Sequence, residues 1–279
     1  MLVRIIKHEL KSTARIFLLM YAIMLALTAL NSLLYVFSDS ILSRDPANLI
    51  GQIFSSIFST SITLYVLALL AVSVITIVII VVRFYRMYGD EGYLWFTLPV
   101  TAHQHILGKL AVAALWSVAS VIVICLSQAL ILLSVGQLGE VINGVRLLYQ
   151  AIRGYNINLI LWIVVAIVYC VTNFLSGILL FYTSVSVGSS WLKSRLGGSV
   201  LVFFIINFAL SFLDSMLTMV LMAILLNNDL FYSDAASTVN IINDVMLLYL
   251  GIFSVYALAK AAGFYFLTQH FTAKRLNLP

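Results

Sequence analysis

Residues 57–82 read IFSTSITLYVLALLAVSVITIVIIVV, with no charge, glycine or proline anywhere in the run. A hydrocarbon core about 30 Å thick is crossed by about 20 helical residues, so this stretch is long enough to span a bilayer. Five further apolar runs lie on either side of it, at about 16–37, 110–135, 158–187, 199–226 and 245–268. Each is too long and too continuous for a barrel strand, whose signature is an alternating segment of about ten residues. Helices remain, because a helix satisfies its own backbone in lipid. Composition agrees: 63% of residues are hydrophobic and 9% charged, against about a quarter charged in soluble domains. The sequence predicts an all-α polytopic membrane protein, a single transmembrane domain over 1–279 with six spans.

Lys and Arg gather on one side of these spans. Arg4, Lys7, Lys11 and Arg15 precede the first, Arg83, Arg86 and Lys109 separate the second from the third, Lys193 and Arg195 follow the fourth, and Lys274 and Arg275 follow the sixth. The opposite side has Arg44, Arg146 and Arg153, with the acids Asp39, Asp45, Glu140, Asp229, Asp234 and Asp244. Basic loops stay inside, so both termini are expected in the cytoplasm. The net charge of +5 is then a topology signal and does not suggest a nucleic-acid partner. Outer connections at about 38–56, 136–157 and 227–244 are short and leave no room for a large ligand-binding domain. The last is read as a solvated loop with a short helix, or as a cation or substrate vestibule. Cys125 and Cys170 fall inside spans as packed thiols. The first apolar run exceeds the 7–15 residues usual in a signal peptide, so it is expected to be retained.

On a helical wheel of residues 1–15, Arg4, Lys7, Lys11 and Arg15 share one stripe, and Leu2, Val3, Ile6 and Leu10 lie opposite. Such a segment is expected to lie in the inner interface with its basic stripe towards anionic lipid headgroups or a protein partner. A plain positive anchor for the first span is the other reading.

Motifs for catalysis or nucleotide binding are missing. The sequence contains no G-x-x-x-x-G-K-[ST] to cradle phosphates. HELKS at 8–12 starts like a zinc-binding H-E-x-x-H but ends in Ser12. His103 and His105, two apart, diverge on a helix. The chain is therefore not expected to be an enzyme or to bind a metal or cofactor.

Two ionisable residues sit within spans: Asp214 in the fifth and Lys260 in the sixth. Such residues face a bundle interior, a cavity or a partner. Lys260 can snorkel towards the interface or pair with Asp214, although helix rise separates the two by about 8 Å in depth. Thr172, Asn173, Ser176, Thr183, Ser184 and Ser186 line the fourth span as helix–helix glue or as a substrate path. Gln128 and Asn207 fit either role.

YGDEGYLWFTLPVTAHQHILGK, residues 88–109, interrupts this apolar chain on its basic side. Asp90 is placed to cap a short helix presenting Tyr93, Leu94, Trp95 and Phe96, which Pro99 ends. Thr101 and Gln104 then form a T-x-x-Q capping box that opens the third span. An interfacial aromatic belt is one reading of the segment. Taken with RIIKHELKSTARIF at 4–17, the six spans, and SVSVGSSWLKSRLGGSVLVFF at 184–204, the block resembles the permease subunits of ABC-2 type transporters, in the ATP-binding cassette superfamily.

That resemblance implies a division of labour. Two copies of a cytoplasmic ABC ATPase would bind ATP and Mg, which this chain does not. The short helix after the second span would be a coupling helix seated in the ATPase, with Asp90, Glu91, Tyr93, Leu94, Trp95 and Phe96 in contact and Arg83, Arg86 and His103 at the rim. A second permease, identical or related, would complete the path in a bacterial plasma membrane. Similar small exporters move amphipathic antimicrobial or cytolytic peptides, so peptide is the expected cargo. Drugs, antibiotics or lipids are the alternative, and an ion-coupled secondary transporter the alternative class.

Overall fold

A computed structural model describes residues 2–43, 48–88, 101–154, 158–191, 194–226 and 235–274. Seven α-helices occur among the described residues: α1 (Leu2–Leu42), α2 (Leu49–Tyr85), α3 (Ala102–Ser134), α4 (Leu138–Gly154), α5 (Leu159–Trp191), α6 (Arg195–Leu226) and α7 (Ala235–Lys274). One 3₁₀ turn, Arg86–Tyr88, follows α2. No strand occurs among the described residues. All but α4 are long and apolar enough to cross a membrane.

Local chemistry sets several helix ends. The Asn48 side chain accepts the Ile50 N–H at 2.9 Å and the Asn158 side chain accepts that of Leu161 at 3.3 Å, each meeting one of a helix's orphan amide donors. Thr101 does the same for α3, its Oγ1 accepting the Gln104 N–H at 3.4 Å. At the end of α3, Gly136 has φ 72°. The Gln137 and Gly136 N–H groups return to the Leu132 and Leu133 carbonyls at 3.1 and 3.2 Å, a Schellman ending that needs a left-handed residue.

The chain divides into two compact units, Met1–Ile80 with Ala111–Leu147, and Val81–Leu110 with Leu148–Pro279. In the first unit, α1 turns one stripe inward: Glu9, Thr13, Phe17, Met20, Tyr21, Met24, Thr28, Asn31 and Ser38. Phe17 stacks on Trp116 of α3 with ring centroids 4.4 Å apart. The Tyr21 hydroxyl meets Ser120 Oγ at 2.7 Å, and Ser120 meets Thr76 at 3.0 Å, so one chain of hydroxyls touches α1, α3 and α2. The Trp116 indole donates to Thr13 at 2.8 Å, and Tyr65 pairs with Ser127 at 2.9 Å. Interhelical hydrogen bonds of membrane proteins average about 0.6 kcal/mol each. The packed aromatics and methionines therefore supply the larger share of the adhesion, and the hydroxyls fix the register.

In the second unit α5 is the central helix, packed against both α6 and α7. Its inward row runs from Thr172 and Ser176 through Tyr182 and Thr183 to Gly188. Phe181 stacks on Phe203 of α6, with ring centroids 4.9 Å apart. Thr183 Oγ1 lies 3.0 Å from both the Phe264 carbonyl and Thr268 Oγ1 of α7. Thr183 and Ser186 thus join helices, whereas Thr172 and Ser184 hydrogen-bond to carbonyls of their own helix.

The structure differs from the sequence expectations in three places. Cys125 and Cys170, expected as packed thiols, are both exposed, because each lies on a helix face turned away from the packed core. The wheel over 1–15 predicts an interfacial helix distinct from a span at 16–37, but α1 is continuous from Leu2 to Leu42. No glycine or proline stands between Leu10 and Leu18 to break it. Arg4, Lys7, Lys11 and Arg15 are exposed, on the face away from buried Glu9 and Thr13. The stretch at 136–157, expected as a connection, folds for the most part as α4. Its Val141, Ile142, Val145 and Leu148 are exposed along one stripe, with Glu140, Asn143 and Gln150 on the other side, the pattern of a helix lying in a lipid interface. Placed in a background without Cys125 and Cys170, a fluorophore on Val145→Cys is expected to be quenched from the lipid phase and one on Asn143→Cys from water. Equal quenching of the two by both agents would take α4 off the membrane surface.

Candidate functional site

Two polar features of the second unit stand out from its apolar surroundings. The first is a cavity of about 200 Å³ lined by α5, α6 and α7. Asn207, Ser211 and Asp214 follow each other at helical spacing on α6, so they share a face. Asn173, Ser176 and Gly177 of α5 and Lys260 and Phe264 of α7 complete the lining. Lys260 Nζ lies 3.4 Å from Asp214 Oδ1, with the lysine side chain 15% exposed and the aspartate 40%. The ammonium also sits 4.3 Å from the centroid of the Tyr256 ring, within cation–π range. The Tyr256 hydroxyl is buried beside Asp214, near enough to interact with it but without hydrogen-bond geometry to any partner. The Asn173 amide donates to the Tyr169 carbonyl at 3.0 Å, which fixes its orientation.

A charged residue at a helix centre costs about 2.5–3.5 kcal/mol on insertion scales, and here each charge offsets part of the cost of the other. The 8 Å offset expected from helix rise does not prevent the pairing. The contact is nonetheless loose, since charge-assisted N–H···O bonds are usually about 2.7–2.9 Å.

The second feature is a knot of side chains holding both ends of the 89–100 segment. Tyr88 is buried; its hydroxyl meets Thr272 Oγ1 of α7 at 2.6 Å, and its carbonyl accepts a hydrogen bond from Arg195 at the start of α6. One turn earlier, Phe84 stacks on Tyr182 of α5, ring centroids 3.9 Å apart. Beyond the segment, His103 meets the Tyr265 hydroxyl of α7. Buried Lys109 donates to the Arg83 carbonyl at 3.1 Å, tying the start of α3 to the end of α2.

Several site expectations can be placed on this geometry. Asp214, Lys260 and Asn173 share the cavity, as do Asn207 and Ser176. Gln128 does not: it is exposed on α3 in the first unit, and its neighbour Ser127 takes the inward position. Arg83 is half-buried, and Arg86 and His103 are exposed near the knot. Asp90, Glu91, Tyr93, Leu94, Trp95 and Phe96 lie outside the described residues. Sequence reasoning misses the Tyr88, Arg195, Thr272 knot; the weak signal for it is an aromatic ending one span and an arginine opening another on the same basic side. Among the described residues no group of His, Cys, Asp and Glu could hold a metal ion.

Six apolar helices with polar groups turned inward define an all-α, multi-pass membrane protein. No family model, curated protein or solved structure matches the chain.

Proposed function

We propose that this chain is the membrane-spanning permease subunit of an ATP-driven exporter of the ABC-2 type. Its cargo is hydrophobic or amphipathic, peptides first, and drugs, antibiotics or lipids next. In this reading the chain sits in a bacterial plasma membrane with both termini in the cytoplasm. Two copies of an ABC ATPase bind ATP and Mg, the 89–100 segment couples to them, and a second permease completes the path.

The observation that carries the reading is the anchoring of both ends of that segment. A handle transmits force only if its attachments are stiff. Tyr88 is fixed to α6 through Arg195 and to α7 through Thr272, and His103 adds a further contact to α7. A displacement of the segment therefore has little slack before it moves α6 and α7. Lys260 lies twelve residues before Thr272 on α7, about 18 Å along the helix, so the anchor and the polar cavity share one rigid element.

The Asp214–Lys260 pair favours the second reading, an ion-coupled secondary transporter, because intramembrane charges mark ion pathways. Purification of the tagged chain from its native membrane separates the two. A Walker-motif ATPase is expected to accompany the intact chain and to be lost when 89–98 are deleted, with the helical content retained. If no ATPase accompanies the intact chain, the permease reading fails and ion-driven transport through Asp214 takes its place.

A further inference from the structure

The α5–α6–α7 cavity contains one cation and one anion in loose contact, and its remaining polar lining is neutral. Asn173, Ser176, Asn207 and Ser211 supply amide and hydroxyl groups. Lys260 reaches one of the two Asp214 oxygens, at 3.4 Å, and the carboxylate keeps 40% of its surface exposed while the lysine keeps 15%. An ion pair built for rigidity would be shorter and less exposed than this. The ammonium also rests 4.3 Å from the centroid of the Tyr256 ring, a contact that leaves its charge without a counter-charge if the carboxylate is taken from it.

A ligand that enters between these charges must leave neither of them uncompensated. A lone cation would satisfy Asp214 and strand Lys260, and a lone anion would do the reverse. A group carrying both charges exchanges one ion pair for two. We propose that this cavity binds a zwitterionic head group, its primary ammonium on Asp214 and its anionic oxygen on Lys260. The volume of about 200 Å³ suits a head group of a few heavy atoms, and an attached apolar tail would remain among the helices. An aminophospholipid head group and a small soluble zwitterion share this chemistry. Under the transport reading the site specifies the polar end of the cargo. Its test is read on the permease alone, so failure to recover an ATPase leaves the inference standing.

The test is equilibrium binding to the full chain in phosphatidylcholine nanodiscs, with four probes: dihexanoyl phosphatidylethanolamine, phosphoethanolamine, decylamine and hexyl phosphate. Saturable binding of dihexanoyl phosphatidylethanolamine is expected, at least tenfold weaker in Asp214→Asn and in Lys260→Gln. The double variant Asp214→Asn with Lys260→Gln has no uncompensated charge to disturb its folding, and it is expected to lose binding to the same extent. If phosphoethanolamine binds equally, a soluble zwitterion suffices; if it does not bind, the source is a lipid; both results support the site. Binding of decylamine that survives Lys260→Gln, or of hexyl phosphate that survives Asp214→Asn, at the affinity of the zwitterion would overturn the proposal. So would zwitterion binding that the double variant leaves unchanged, or no binding of either zwitterion.

Discussion

Replacing Gly188 by valine is expected to prevent the second unit from folding, and replacing it by alanine to lower the thermal midpoint of the purified protein clearly. A Cβ added at Gly188 would fall 2.5 Å from the Gly198 carbonyl carbon and the Ser199 Cα. These are backbone atoms of α6 and cannot swing aside as a flexible side chain would. Overpacking a well-filled interior costs about 1–3 kcal/mol, and more where nothing yields. Separating α5 from α6 at this point would also disturb the Phe181–Phe203 stack and the place where Arg195 meets Tyr88. Gly251→Ala and Gly263→Ala are the controls, because a Cβ at either position meets nothing within 4 Å and alanine favours a helix by about 1 kcal/mol over glycine. Thermal unfolding in detergent decides the matter: equal midpoints for wild type and Gly188→Val would mean that α5 and α6 do not approach so closely.

This contact shows where sequence stops being informative. The spans are legible because transfer into lipid depends on composition alone, as residues 57–82 illustrate. Their ends are not legible from hydropathy, because a helix continues past the hydrocarbon until something such as Gly136 or the Asn48 cap ends it. The spacing of Val141, Ile142, Val145 and Leu148 carries a helical signal for α4, but it is easily overlooked in a segment too short to span. Asp214 and Lys260 stand out because charge is rare in such a chain. Their pairing depends on α6 and α7 both packing on α5, which no local pattern states. Gln128 and Asn207 have similar chemistry in similar apolar runs and both are exposed, yet Asn207 lines the α5–α6–α7 cavity and Gln128 does not. The Tyr88–Thr272 contact, 184 residues apart in sequence, joins residue types common throughout the chain and is legible only in three dimensions.

Loosening that anchor is expected to separate ATP hydrolysis from transport. The Arg195 guanidinium donates to the Tyr88 carbonyl and the Tyr88 hydroxyl pairs with Thr272, so one residue holds the end of α2 to two other helices. Hydrogen bonds to charged groups contribute about 1.5–3 kcal/mol and neutral ones about 1 kcal/mol. Arg195→Met should therefore be the most damaging substitution, with Tyr88→Phe and Thr272→Val milder and similar to each other. None of these changes touches residues 89–100, so under the proposed function the ATPase still binds and still turns over. Transport into proteoliposomes is expected to fall at least tenfold in Arg195→Met, with ATP hydrolysis per complex within twofold of wild type. Because Tyr88→Phe and Thr272→Val remove opposite ends of the same bond, their double variant should be no worse than either alone. A parallel fall of transport and hydrolysis would place the defect in ATPase assembly. Undiminished transport in Arg195→Met would reduce the knot to a packing feature and leave the 89–100 segment without a stiff connection to the helices it is proposed to move.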